Sequence, residues 1–378
     1  MILQYNFPTT IRFGAGASEE LGDYMVRQGL KKPLVVTDPV VAGLPFFKKS
    51  MDQLDRKSIR AVVFHDIHKN PVKSDVYKGT EAYDAEGCDS VVGFGGGAAM
   101  DVARAIVLRV NHREDIFVYD DLIGGDVYVT GDVPHFVTIP TTAGTGSEVG
   151  RSAIIADDET HQKKILFSPK LLAKTVFADP ALTMDLPPAV TAATGMDALT
   201  HNMEAYIAKM SHPLCEGIAL EGISLIGRSI EKAVHKPDLA SRSDMLIASL
   251  MGAVAFQKGL GVVHSLAHPL SSLLDTHHGL ANAVNLPYGM RFNIAGCEEK
   301  FRQIARRLDL GQEDGEGVVR HLFEWNERIG IPKRLRDIGV RDEHLDTLAD
   351  LAIADFAHPN NPKPVGRDDF RMLYGEAL

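Results

Sequence analysis

The sequence predicts a two-domain protein, an α/β domain built on a parallel sheet followed by an all-helical domain. Three observations carry this reading. The 378 residues exceed what one compact core usually holds. The first half alternates short β-branched runs with helical stretches, and from about Leu186 the texture changes to long segments rich in Ala, Leu, Met and Glu.

In chain order, "KPLVVTD" (32–38), "IRAVVFHDI" (59–67), "DSVVGFGGG" (89–97) and "HFVTIPTT" (135–142) have the continuous apolar character of buried parallel strands, each closed by a polar or glycine-rich end. Between the second and third lies "SDVYKGTEAYDAEG" (74–87), with helical spacing. This β-α-β alternation predicts a doubly wound sheet. The Pro-rich "DPALTMDLPP" (179–188) marks the boundary, because prolines remove donors and stop a helix from running through. The expected domains are therefore residues 1–185 and 186–378, the second built from segments such as "PAVTAATGMDALTHNMEAYIAKM" and "SRSDMLIASLMGAVAFQKG".

Composition excludes several classes. The chain is 45% hydrophobic and 24% charged, an ordinary globular balance, and its net charge of −10 comes without a basic stripe. Nucleic acid and anionic membranes are poor partners for such a surface. The start, "MILQYNFPTTIRFGAG", lacks a basic and apolar leader, which gives a cytoplasmic expectation. Cys88, Cys215 and Cys297 lie far apart and predict neither disulfides nor a thiolate metal site.

Two loops could hold a nucleotide. In "VGFGGGAAMDVARAI" (92–106) a strand meets three glycines and then a helix, so backbone N–H groups could approach a pyrophosphate at a helix N-terminus. The pattern is neither G-x-G-x-x-G nor a P-loop, and a tight strand-to-helix turn explains it equally well. "IPTTAGTGSE" (139–148) gathers Thr141, Thr142, Thr145 and Ser147 after a strand, suited to phosphate or ribose but also to ordinary capping. Asp38 ends "VVTD" where open sheets bind ligands; its carboxylate would accept ribose hydroxyls and repel a 2′-phosphate, favouring NAD over NADP, or would simply cap a helix.

In the helical half, Asp197 and His201 stand four apart and share a helix face, as do His264 and His268, with His278 ten residues later. One carboxylate with several imidazoles suits Fe²⁺, Zn²⁺, Co²⁺ or Mn²⁺. Either pair alone is commonly just hydrogen-bonded. Their coincidence in apolar surroundings points to a cation that satisfies several at once.

Together, "GGGAAMD", "IPTTAGTGSE", "DPALT", "GMDALTHNMEAY" and "GVVHSLAHPLSSLLDTHHGLANAVNLPYGMRFN" resemble the iron-containing, or group III, alcohol dehydrogenases, a family with a dehydroquinate synthase-like fold. The resemblance runs nearly end to end, from "FGAG" (13–16) to "HPNNPKP" (358–364). It implies metal ligands at Asp197, His201, His264 and His278, with His268 beside them as the catalytic candidate, either supporting the ligands or relaying a proton that could equally travel through water or the cofactor ribose. It implies NAD contacts at Asp38, Asn70, Gly96, Gly97, Ala98, Asp101, Thr141, Thr142, Thr145, Lys163 and Leu182.

The activity so implied is hydride transfer between NAD(H) and a primary alcohol or aldehyde, assisted by Fe²⁺ or by Zn²⁺ or another divalent ion, in a homodimer or larger homo-oligomer. The alcohol is open among simple alcohols, 4-hydroxybutyrate, 1,3-propanediol, lactaldehyde or propanediol, and glycerol. A metal- and NAD-dependent lyase and a non-catalytic nucleotide sensor are the rival classes. Two departures from the family pattern stand out: Ala98-Ala99 replaces the usual Ser-Pro, and His277 occupies a usual proline.

Overall fold

The computed structural model describes Phe7 and residues 9–378. Two compact units result, one of Phe7–Thr142 with Ser147–Met184, the other of Ala143–Gly146 with Asp185–Leu378.

The α/β unit runs β1 (Thr10–Phe13), α1 (Leu21–Gln28), β2 (Pro33–Val36), α2 (Pro39–Gly43), α3 (Pro45–Arg56), β3 (Val62–Phe64), α4 (Lys73–Glu86), β4 (Ser90–Gly95), α5 (Gly97–Asn111), β5 (His135–Pro140), β6 (Ser152–Ala156), β7 (Lys163–Phe167) and β8 (Thr175–Ala178). Six strands form a sheet in the order β1-β8-β5-β4-β2-β3, every pair parallel, while β6 and β7 make a separate antiparallel hairpin. Each of the four strand runs read from sequence contains one of the sheet strands. Covering both faces explains their unbroken apolar character: Leu34, Val36 and Val91 enter one core with Val102, Ile106 and Phe136, and Val35, Val92 and Val137 enter another with Met25, Phe47 and Leu54. Strand order reverses between β2 and β4, the switch point at which such sheets bind ligands beyond their carboxyl ends.

The helical unit comprises α6 (Pro188–Ile207), α7 (Pro213–His235), α8 (Leu239–Ala255), α9 (Val262–Leu274), α10 (His278–Phe292), α11 (Glu298–Arg307), α12 (Gly315–Arg328), α13 (Leu345–Ile353) and α14 (Arg367–Ala377). Among the described residues it contains no strand. Pro188 opens α6 at a position where its missing N–H costs nothing, and every residue from Thr191 to Ile207 is buried, so this helix is the unit's axis. Leu239–Lys258 is long and apolar enough to cross a membrane by length and composition, yet 56% of its apolar window is buried, against α6 and α7 among others.

Residues 143–146, which the sequence reading kept with the first domain, belong to the helical unit. Two glycines make this possible. A Cβ at Gly146, whose φ is +60°, would meet the Ser249 carbonyl at 2.7 Å, and one at Gly144 would lie 3.1 Å from the Thr194 Cα.

Candidate active site

In the helical unit, α6 carries Asp197 and His201, α9 carries His264 and His268, and α10 opens on His278. One donor atom from each of Asp197, His201, His264 and His278 lies within 4.8 Å of the other three. Asp197, His201 and His264 are buried and His278 is partly exposed. The spacing in sequence brings each pair to one helix face, and Gly279 brings the helices together: a Cβ there would strike the Ala193 carbonyl oxygen at 2.5 Å.

The donor atoms converge. The Asn282 amide Nδ2 lies 2.7 Å from Asp197 Oδ1, 3.3 Å from His264 Nε2 and 3.1 Å from His278 Nε2, so three potential ligand atoms surround one point. Burial pushes the His201 imidazole down to about 4 and that of His264 to about 3, which leaves both neutral and able to donate lone pairs at neutral pH. One carboxylate and three imidazoles in such a setting fit a divalent transition-metal ion.

The remaining histidines separate by role. His268 Nδ1 is 2.7 Å from Asp355 Oδ2, and its ring lies parallel to that of His278 at 5.3 Å. Asp355 also accepts from Ser265 Oγ at 2.6 Å and from the Ala357 N–H at 2.9 Å. Despite burial, the His268 partner and these donors hold the Asp355 carboxyl at about 2, so it stays an acceptor. His277 is exposed and caps α10, its Nδ1 accepting the Leu280 N–H at 3.4 Å.

In the α/β unit, the nucleotide candidates gather at the carboxyl ends of β2, β4 and β5. Gly96 is the extended N-cap of α5, followed by Gly97 and Ala98 in its first turn. The Thr141 N–H donates to the Gly95 carbonyl at 2.9 Å, and a Cβ on Gly96 would sit 3.4 Å from Thr142 Oγ1. Asp38 Oδ1 caps α2, accepting from Val40 and Val41 at 2.9 and 3.0 Å, while Oδ2 faces Gly95. Both alternatives raised for Asp38 thus have an oxygen available.

The other candidates come from other segments of the chain. Asn70 precedes α4, half-buried. Lys163 opens β7, also half-buried. Leu182 packs in the core with Phe94 and Ile139. Thr145 lies in the segment assigned to the helical unit. Asp101 is engaged within the protein: Oδ1 accepts from Ser147 Oγ at 2.7 Å and pairs with Arg104 at 3.3 Å, and Oδ2 accepts from the Ile154 N–H at 3.2 Å.

Several residues of the site lie outside the set predicted from sequence. Glu204, buried on α6, lies 2.6 Å from His264 Nδ1, and its position seven residues after Asp197 was the signal that could have found it. Asn282 stands four residues after His278, an equally visible spacing. Asp355 gave none, being 87 residues from His268. Arg104, fully buried, donates to the carbonyls of Leu171, Ser147 and Ser152 and to Ser147 Oγ, which anchors the end of the hydroxyl-rich loop.

Glu148, beside them, yields a pH prediction. Burial raises its carboxyl from 4.5 to about 7, so the folded state holds a proton that the unfolded chain releases. Stability from this group is present below pH 4.5 and is lost as pH rises through 7. Glu148→Gln should flatten that fall, worth roughly 3 kcal/mol at most. Denaturation at pH 5 and pH 8 checks it; parallel pH profiles for both proteins would refute it.

A parallel sheet with a glycine turn at its switch point, joined in one chain to a helical unit bearing an Asp–His cluster able to hold a metal ion, is the architecture of a two-unit α/β-plus-helical protein with a nucleotide-type turn and a candidate metal centre. The family description "Iron-containing alcohol dehydrogenase" matches residues 8–180, and "Fe-containing alcohol dehydrogenase family, C-terminal" matches residues 191–378. The chain belongs to this family and is an alcohol oxidoreductase. It is 35% identical to the 4-hydroxybutyrate dehydrogenase of Cupriavidus necator over 98% of both chains, and 34% identical to the 1,3-propanediol dehydrogenase of Citrobacter freundii over 100% of this chain and 99% of that one. Among solved structures, a 1,3-propanediol oxidoreductase superposes with a TM-score of 0.94 at 33% identity, covering all of both chains. A sulfoacetaldehyde reductase of Bifidobacterium kashiwanohense in complex with NAD+ gives 0.89 at 27% identity, covering 100% of this chain and 99% of that one.

Proposed function

We propose that the chain interconverts a primary alcohol and its aldehyde with NAD(H), at a divalent ion held by Asp197, His201, His264 and His278. The observation that carries this reading is the convergence of their four donor atoms within 4.8 Å, beside a histidine braced by a carboxylate. When bound, the ion supplies Lewis-acid polarisation of the carbonyl oxygen and NADH supplies the hydride.

The protein's own groups do the rest. Burial keeps His201 and His264 neutral, and Phe256 covers the His201 ring at 5.2 Å. His268, with Nδ1 tied to Asp355, is left Nε2 to pass a proton to the developing alkoxide and to take it back in the reverse direction. Phe356 stacks on the same ring at 5.3 Å and restricts its rotation. Asn70, Gly96, Gly97, Ala98, Thr141, Thr142, Thr145, Lys163 and Leu182, with Asp38, are the contacts inferred for NAD, and Asp101 supports them through Ser147.

Iron and zinc are both suited to this ligand set, and the supply of metal decides between them. The test is protein metallated anaerobically with Fe²⁺ or Zn²⁺ and offered NADH with succinic semialdehyde, 3-hydroxypropionaldehyde, lactaldehyde and unbranched aldehydes. Loss of NADH absorbance with at least one of them is expected. Tight NAD binding without turnover on any would instead favour a nucleotide sensor.

Cofactor choice is separately testable. Asp38→Gly should shift preference from NAD toward NADP, because the repulsion of a 2′-phosphate is removed. Glycine replaces an aspartate cap at a cost of only a few tenths of a kcal/mol, so α2 survives and the readout is clean. An unchanged ratio of kcat/KM for the two cofactors would show that Asp38 serves α2 alone.

A further inference from the structure

On α6, Asp197, His201 and Glu204 stand at i, i+4 and i+7 and so share one face. The first two are donors in the metal cluster, and the third reaches across to the start of α9. Its Oε2 lies 2.6 Å from His264 Nδ1 and accepts the Gly261 N–H at 3.0 Å, and its Oε1 accepts the Val263 N–H at 2.7 Å.

Those contacts serve two needs at once. Gly261, the N-cap of α9, supplies no side-chain cap of its own, so the first N–H groups of this helix require acceptors from elsewhere. Glu204 takes two of them, and Asn361 Oδ1 takes the Val262 N–H at 3.1 Å. A carboxylate is also the favoured charge at a helix N-terminus. Gly261 leaves room for it, since a Cβ there would lie 2.9 Å from Glu204 Oε1. An imidazole hydrogen on His264 Nδ1 would be taken by the same carboxylate and would leave an Nε2 lone pair facing the Asn282 amide and the other donors.

We propose that Glu204 is a positioning residue: it fixes His264 as the Nδ1–H tautomer, with Nε2 ready for the metal, and ties that choice to the capping of α9. The inference rests on the metal-binding role of His264 given above. A carboxylate behind a ligating imidazole sets its orientation and raises its basicity, and losing one typically lowers metal affinity 10- to 100-fold. Glu204→Gln presents an amide hydrogen to at least one of the three donors and cannot serve them all.

Chelator competition with Zn²⁺ should show Glu204→Gln binding 10- to 100-fold more weakly than wild type. Asn361→Ala, which removes the neighbouring cap without touching His264, should lower thermal stability but leave Zn²⁺ affinity within about threefold, a margin of less than 1 kcal/mol. Long-range ¹H–¹⁵N spectra of metal-free wild type, with ¹⁵N-labelled histidine, should show His264 protonated at Nδ1, a result that needs no variant to fold. Protonation at Nε2, wild-type affinity in a folded Glu204→Gln protein, or an equal loss in Asn361→Ala would each overturn the proposal. Wild-type protein that binds no Zn²⁺ while showing the Nδ1–H tautomer would instead overturn the metal-site reading and leave the Glu204–His264 coupling standing.

Discussion

His264→Ala and His278→Ala should purify with little metal and turn over alcohol at close to background rate. Each substitution leaves three of the four donors, and removal of His264 also strands the buried Glu204, which keeps its two backbone donors and loses the imidazole. An ion held by three residues in an opened site exchanges with water and with chelators. His268→Ala should keep its metal, because His268 lies outside the donor cluster and is held by Asp355, but should lose about 10²-fold in kcat through the missing proton carrier. His277→Ala should lose only a modest helix cap and remain active and metallated. Elemental analysis beside turnover on the four proteins decides: a metal-free but active His278→Ala protein, or a metal-depleted His277→Ala protein, would end the assignment.

Arg104→Ala should be the most destabilising single change in the α/β unit. The side chain is fully buried and donates to the Leu171, Ser147 and Ser152 carbonyls while pairing with Asp101. Its removal leaves a mostly buried carboxylate without its cation and several carbonyls without a donor, a combination that costs about 3–5 kcal/mol. Urea denaturation followed by tryptophan-independent far-UV signal measures it, and NAD affinity should fall as the anchored loop loosens. Arg104→Met with Asp101→Leu, which removes both charges, should recover part of the loss; a single variant within about 1 kcal/mol of wild type would show that the pair contributes only what a surface ion pair does.

Where one physical constraint acted on a contiguous stretch, the fold was legible. β2, β4 and β5 are buried on both faces, and their apolar runs announced them; α6, α9 and α10 placed histidines and a carboxylate at helical spacing. β1 is a mostly exposed edge strand and offers no apolar run, whereas β8, as short and as buried as β2, carries the same kind of signal in "TVFA" and was not read. The β6–β7 hairpin was missed because its pattern is half-polar, set by pairing rather than by a two-sided core. Within the site, the four candidate metal donors came from spacing and resemblance together. Glu204 and Asn282 stood in plain view at helical intervals but were not read, since an acid and an amide on a helix have many ordinary uses. Asp355 acts through a contact that chain folding creates, and Arg104, although it stands three residues from Asp101, donates to the Leu171, Ser147 and Ser152 carbonyls, which no local pattern encodes.

The passage of residues 143–146 into the helical unit bears on how such a chain can be divided. The chain crosses between units at 142/143, 146/147 and 184/185, so the Pro-rich boundary is one seam among several. A gene cut at residue 185 would give a helical fragment lacking the strand of backbone that fits against Thr194 and Ser249, and so a raw face on the helices that flank His201. The first fragment would carry those four residues with nothing to receive them. A cut at residue 185 therefore divides the helical unit itself instead of separating one unit from the other.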